Sequence, residues 1–243
     1  MPSSQKRLDS PPKKINVTGK SCIFRFFYKE FFMNKLVVFD LDGTLINSLE
    51  DIRCAVNFVR KAAGLPDISL EKARMSVGNG ADLLIDRTIP VEAMEHSAAL
   101  AMFKEYYQKH SSDFTVLYPG VAQGLALLKD AGCVLCTASN KPASACEPLL
   151  ETFGIKNYFS DIIGGSADFP LKPEPDVLLF LKEKYSCRYN FMCGDHYTDL
   201  ECGRRAGFTT VFASYGFGDP RQETPDFSAE DFNKLTELIL ITV

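Results

Sequence analysis

Asp40 and Asp42 are the residues in this chain best placed to do chemistry. The apolar run Lys35-Leu-Val-Val-Phe ends abruptly in Asp40, and Asp42, Gly43 and Thr44 follow within four residues. Two carboxylates this close repel each other unless a cation or a shared proton stands between them. A short apolar run bounded by turn residues predicts a buried strand of a parallel sheet. Ligands in open α/β sheets sit beyond the carboxyl ends of the strands. The pair therefore stands where reactions are carried out, and it calls for a metal.

Three further polar clusters fall at the ends of predicted strands or in the loops after them. They are Ser139-Asn140-Lys141-Pro142, Lys172-Pro-Glu-Pro-Asp176, and Gly194-Asp195-His196-Tyr-Thr-Asp199. Each has an ordinary reading alone: a helix cap, a solvated lysine, a turn. Four such clusters at one sheet edge are hard to reconcile with chance. Three carboxylates with Lys, Ser and Asn form an oxygen-rich site that suits Mg²⁺. Lys172, Mg²⁺ and the Ser139 hydroxyl are suited to surround a phosphoryl group whose negative charge spreads in the transition state. Asp40 is the candidate nucleophile, because carboxylates form aspartyl-phosphates. Asp42 is the candidate acid and base, protonating the leaving alkoxide and later taking a proton from water. Gly43 lets the backbone turn so that Asp42 faces the same site. Thr44 is expected to orient the phosphate or Asp42, with Ser139 and Asn140 also on the substrate side.

These groups need elements to hold them. After Leu45 the pattern becomes helical. Ser48 is expected to cap a helix to about residue 63, with Ile52, Ala55, Val56 and Val59 on one face and Gly64 ending it. Helical segments follow near 69–76, 80–89 and 91–110, uninterrupted by any strand pattern. From Tyr118-Pro119-Gly120 onward strands and helices alternate. The predicted strands are 133–138, 161–163, 190–193 and 209–213. The predicted helices end at Asp130 and cover 142–153, 175–185 and 199–206, with a last one at about 229–240 capped by Ser228. The alternation predicts an α/β fold: a Rossmann-like parallel sheet with right-handed crossovers and helices on both faces, and a helical cap inserted after the first strand. The expected division is a catalytic core of 33–46 plus 117–243 and a helical cap of 47–116.

Composition bounds the rest. With 243 residues, 46% hydrophobic and 24% charged, the chain can bury a full core. No apolar run approaches a membrane span. Residues 1–32 carry seven Lys/Arg against two Asp/Glu, leaving 20 against 29 in the remainder. An acidic body is a poor partner for nucleic acid. The basic, aromatic stretch 22–32 has three readings: a targeting peptide, a membrane-surface segment, or an extension upstream of a working start at Met33. The last is the expectation here, because Met33 leads straight into the first strand. The eight scattered cysteines predict reduced thiols in a cytoplasmic protein rather than a disulfide framework. Cys133 and Cys136 have C-x-x-C spacing but lie within a strand pattern.

The four clusters together resemble the motifs of the haloacid dehalogenase superfamily, in its phosphoglycolate phosphatase branch. Phe39-Asp-Leu-Asp-Gly-Thr-Leu45 is similar to the first motif, Ser139-Asn-Lys-Pro142 to the second, Lys172-Pro173 to the third, and Gly194-Asp-x-x-x-Asp199 to the fourth. Gly78-Asn-Gly-Ala-Asp82 resembles part of that branch's cap, and Tyr215-Gly216 fits it as well. The resemblance implies a mobile cap over a Rossmann-like core. It implies Mg²⁺ held by Asp40, the Asp42 main-chain carbonyl and Asp195, with Asp199 farther out. It implies hydrolysis of a small phosphorylated metabolite, with 2-phosphoglycolate the first candidate. A cationic cap residue, Arg87 or Arg53, would then hold the substrate carboxylate. Phosphosugar mutase, pyrophosphatase and nucleotidase activities are the alternatives, and monomer and homodimer are both open. Asn47, Ser166 and His196 depart from residues common in that branch, and none of the three replaces a catalytic group.

Overall fold

A computed structural model describes residues 34–166 and 168–242. The stretch 22–32 and the start at Met33 lie outside them.

The central strand β1 (Lys35–Phe39) is buried along its whole length. Its side chains alternate between two cores, as the two-residue period of a strand requires. Val37 and Phe39 face one hydrophobic cluster, and Leu36 and Val38 face another. The sheet is completed by β4 (Val134–Pro142), β5 (Asp161–Gly165), β6 (Tyr189–Gly194), β7 (Thr209–Ala213) and β8 (Phe227–Ala229). Its order is β5-β4-β1-β6-β7-β8, and every neighbouring pair is parallel. Helices α5 (Val121–Asp130), α6 (Ala143–Thr152) and α9 (Phe232–Ile241) cover the Val37/Phe39 face. Helices α7 (Asp176–Tyr185) and α8 (Tyr197–Ala206) cover the other. Phe39 stacks on Phe232 at a centroid distance of 5.8 Å and meets Phe159 edge-on at 6.4 Å. Such pairs contribute about 0.5–1.5 kcal/mol beyond their buried area. They fix the strand whose end carries Asp40.

Four helices lie between β1 and β4, ahead of α5: α1 (Leu49–Ala62), α2 (Leu70–Arg74), α3 (Ala81–Thr88) and α4 (His96–His110). They bury their own core, with Ile52, Val56 and Val59 of α1 against Leu84 and Ile85 of α3 and Phe103 and Tyr107 of α4. Two short strands, β2 (Ile46–Asn47) and β3 (Val116–Leu117), pair antiparallel where this helical insert leaves and re-enters the sheet domain. Asp51, only 1% exposed, braces that junction by accepting hydrogen bonds from the Phe114 and Thr115 amides and the Thr115 hydroxyl.

Several local expectations differ from the structure. The insert is not bounded by helix alone, since β2 and β3 are strands too short to carry a periodic signal. Strand β4 runs on to Pro142, so Ser139 and Asn140 lie within an irregular strand end rather than in a following loop. Ser48 precedes α1 but makes no side-chain cap bond, because its hydroxyl donates to Asp42 instead. The helix predicted from residue 91 starts at His96, where the Glu95 side chain accepts from the Ala98 amide. Ser228 lies in β8, and Asp231 caps α9 through the Lys234 amide. The seven cysteines among the described residues are unpaired thiols, with Cys133 and Cys136 both buried. No helix among the described residues is long and apolar enough to cross a membrane.

Candidate active site

The carboxyl ends of β1, β4 and β6 lie side by side and deliver the predicted groups to one place. The Asp40 amide continues the ladder to the Cys193 carbonyl at 2.9 Å. Immediately beyond it the chain turns tightly, with the Leu45 amide returning to the Leu41 carbonyl at 3.0 Å. Gly43 sits in this turn at φ +86°, and a Cβ there would lie 1.8 Å from Asp195 Oδ2. Only glycine fits, for both reasons.

Asp40, Asp195 and Asp199 are buried, and each contributes a carboxylate oxygen to a group lying within 4.8 Å of one another. Lys172 joins two of them. Its ammonium donates to Asp40 Oδ1 at 2.9 Å, to Asp199 Oδ1 at 2.6 Å and to the Ala138 carbonyl at 2.6 Å. Burial pulls this ammonium toward the neutral form, but the Asp199 and Asp40 carboxylates outweigh it and hold the lysine above its ordinary range. Asp195 has a different environment. Its carboxylate receives the Gly218 amide at 2.7 Å and pairs with no lysine or arginine among the described residues. Burial first, then Asp199 and Asp40, push its carboxyl well above the usual carboxylate range. Three buried carboxylates share one ammonium, which leaves a deficit of positive charge beside Asp195. A hard divalent cation with oxygen ligands fits that deficit.

Asp42 points to a separate pair of partners. Lys141 donates to both of its oxygens at 3.0 Å, and the Ser48 hydroxyl donates to Oδ1 at 2.5 Å. The Asp42 side chain thus stands apart from the three-carboxylate cluster, two residues from Asp40 but differently held. Asn140 serves as a junction: its amide group donates to the Lys172 and Gly78 carbonyls and accepts from the Lys172 amide at 2.8 Å. The second motif thereby fixes the third and touches the insert.

A cavity of about 150 Å³ lies over these groups. Its floor includes Asp40, Asp42, Ser139, Lys141, Lys172 and Asp195, and its roof includes Ile52, Leu84, Phe103 and Tyr107 from the insert. Gly78 of the insert packs on the His196 ring, where an added Cβ would come within 2.5 Å of it. His196 is buried rather than a surface residue, and its ring caps α8 together with the Asp199 side chain. Burial, then Arg221, pull its imidazole down to about 4, so it is neutral near pH 7.

Three of the candidates assigned from sequence, Thr44, Arg87 and Arg53, stand outside the cavity, and a fourth, Asn140, is committed to protein partners. Thr44 is fully buried with its hydroxyl unpartnered, outside the cavity wall. Asn140 lines the cavity but spends its amide on the protein. Arg87 also lies outside the wall, donating to the Ser76 carbonyl and to Asn79 at 3.0 Å each. Arg53 is paired with Glu50 on its own helix. Lys141 and Tyr107 also line the cavity. Lys141 is legible in the sequence only as part of the second motif, and no local pattern singles out Tyr107.

Comparison with known proteins shows the family. The family model for haloacid dehalogenase-like hydrolases matches residues 37–213. The chain belongs to that family. It is 37% identical over 221 residues to the phosphoglycolate phosphatase of Vibrio cholerae serotype O1, covering 86% of this chain and 98% of the relative. It is 34% identical over 222 residues to that of Vibrio parahaemolyticus, covering 86% and 97%. The crystal structure of a predicted phosphoglycolate phosphatase from Haemophilus somnus 129pt superposes with a TM-score of 0.80 at 31% identity, covering 85% of this chain and 98% of that one. This hydrolase thus shares both the fold and nearly the full length of its relatives.

Proposed function

We propose that this haloacid dehalogenase-like hydrolase is a Mg²⁺-dependent phosphatase that cleaves 2-phosphoglycolate through an aspartyl-phosphate on Asp40. The observation that carries the reading is the contrast between two carboxylates on one turn. Asp40 sits with Lys172, Asp195 and Asp199, whereas Asp42 is held apart by Lys141 and Ser48. The contrast supports a covalent role for Asp40 and a proton-transfer role for Asp42. The names of the relatives support the substrate.

Asp40 and Asp195, with the Asp42 main-chain carbonyl, would hold Mg²⁺, and Asp199 would steady the set from beside them. Bound there, the ion would offset the charge of the carboxylates and the phosphoryl oxygens. In the first half-reaction an Asp40 oxygen attacks phosphorus and the bond to the ester oxygen breaks. Asp42 gives its proton to the departing alkoxide, which leaves as the alcohol. Lys172 balances the charge on the transferring group. In the second half-reaction Asp42, now a carboxylate, takes a proton from water as the water oxygen attacks phosphorus. The bond to Asp40 breaks and inorganic phosphate leaves. The helical insert acts as a lid whose apolar roof keeps other water away from the phosphoenzyme.

The test is phosphate release from a panel of esters with Mg²⁺, on full-length protein and on a variant beginning at Met33. Release from 2-phosphoglycolate, lost in Asp40→Asn, is expected. Release from a different ester alone would remove the substrate assignment. Full turnover by Asp40→Asn would remove the covalent step.

A further inference from the structure

Lys141, which holds the Asp42 carboxylate, is itself held by a residue of the lid. Lys141 Nζ is buried and spends its hydrogen-bonding capacity on two residues. It donates to Asp42 Oδ1 and Oδ2 at 3.0 Å, and to the Tyr107 hydroxyl at 2.6 Å. The same ammonium stands 4.4 Å from the Tyr107 ring centroid. An ammonium has three donors, and Asp42 and Tyr107 occupy them all. Tyr107 belongs to α4 of the insert and is 5% exposed. Asp42 and Lys141 belong to the sheet domain. The arrangement is therefore a chain of three polar groups running from the lid to the proposed acid and base.

We propose that Tyr107 is a positioning residue for Asp42, acting through Lys141, so that seating the lid aims the carboxylate. The proposal rests on the reading of Asp42 as the proton donor. Without a lid-borne acceptor the lysine side chain has one fixed partner instead of two, and four rotatable bonds over which to wander. With Tyr107 in place its ammonium is pinned from both sides, and Asp42 is pinned by it and by Ser48. A purely apolar role for Tyr107 would be met equally well by phenylalanine. The ring already stacks on Phe103 at 5.6 Å, and that contact needs no hydroxyl.

The experiment compares Tyr107→Phe with the unaltered full-length enzyme on two esters. One is 2-phosphoglycolate, whose alkoxide needs a proton to leave. The other is 4-nitrophenyl phosphate, whose leaving group does not. We expect kcat/KM for 2-phosphoglycolate to fall about tenfold with KM nearly constant, and for 4-nitrophenyl phosphate to fall less than about threefold. The melting temperature should hardly move. Lys141→Met should show the same ester selectivity, and adding Tyr107→Phe to it should cost nothing more. Equal losses on both esters would make Tyr107 a packing residue and overturn the proposal, whether or not stability also fell. A rise in KM alone would make it a substrate contact, with the same consequence. So would losses that add in the double variant. Asp42→Asn separates the two layers. If it is inactive while Tyr107→Phe is fully active, only the positioning role fails. If it still turns over 2-phosphoglycolate normally, the acid and base reading fails with it.

Discussion

Lys172 Nζ lies 2.9 Å from Asp40 Oδ1, although the two residues are 132 positions apart in the chain. The contact brings a cation to the proposed nucleophile in a setting where both groups are largely buried. Its consequences extend from catalysis to folding.

Replacing Lys172 by methionine is expected to abolish turnover and to destabilise the protein. The variant leaves Asp40 and Asp199 buried without their shared counter-charge, a loss of about 3–5 kcal/mol for a broken buried pair. Chemical denaturation measures the stability change. A methionine variant as stable as the parent would show that the carboxylates take up protons without cost.

Metal binding should depend on pH with a definite sign. In the metal-free protein, burial and the Asp199 and Asp40 carboxylates raise the Asp195 carboxyl above its unfolded value. Its contribution to stability is therefore fully present below the unfolded pKa and lost as pH rises. Mg²⁺ occupies the ionised site, so the rise in melting temperature on adding Mg²⁺ should grow with pH, and binding should release protons. At a concentration 1,000 times Kd the stabilisation is about 4 kcal/mol. Thermal scans with and without chelator between pH 5.5 and 8 test this, and Asp195→Asn should lose the Mg²⁺ response.

His196 carries the opposite shift. Burial and Arg221 hold its imidazole at about 4 in the folded state, below the ordinary 6.5. The unfolded chain binds the extra proton first, so this residue's share of stability is present above pH 6.5 and is lost as pH falls toward 4. His196→Asn keeps a side chain able to cap α8 and removes the titration. The stability difference between parent and variant should shrink or reverse over that interval, read from urea midpoints at each pH.

Gly78→Ala should damage lid seating. Gly78 has φ +104°, and its added methyl would meet the His196 ring at about 2.5 Å. The Gly78 carbonyl also accepts from Asn140, so the same shift loosens the second motif. A rise in KM together with a fall in kcat is expected, with a stability loss of about 1–3 kcal/mol. Steady-state kinetics beside a denaturation curve would show it. Unchanged kinetics would mean that the lid does not seat on His196 during turnover.

The four motifs were legible because each is a local pattern. An apolar strand followed by a carboxylate announces both its element and its place at the sheet edge. Asp40, Lys172 and Asp195 needed only the parallel topology to bring them together. The helical insert was equally plain from its 3.6-residue spacing. Other features were not. β2, β3 and β8 hold two or three residues each, too few for any period to register. Ser48 looked like a helix cap because Ser before an apolar helix usually is one, and the nearby Asp42 carboxylate won its hydroxyl. Arg87 and Arg53 looked available because a sequence does not show which acceptors fold back onto a cation.

The sheet, the helical insert and the carboxylates that meet beneath it follow from short-range periodicity and from strand ends, and so are written locally in the chain. The difference between Asp40 and Asp42 arises from long-range contacts. Asp40 faces Lys172 and two carboxylates, whereas Asp42 faces Lys141, Ser48 and, one step farther, Tyr107. Tyr107 and Lys141 are 34 residues apart and sit on different elements. Their contact depends on how the insert settles on the sheet, which is set by packing summed over many side chains and written in no single motif.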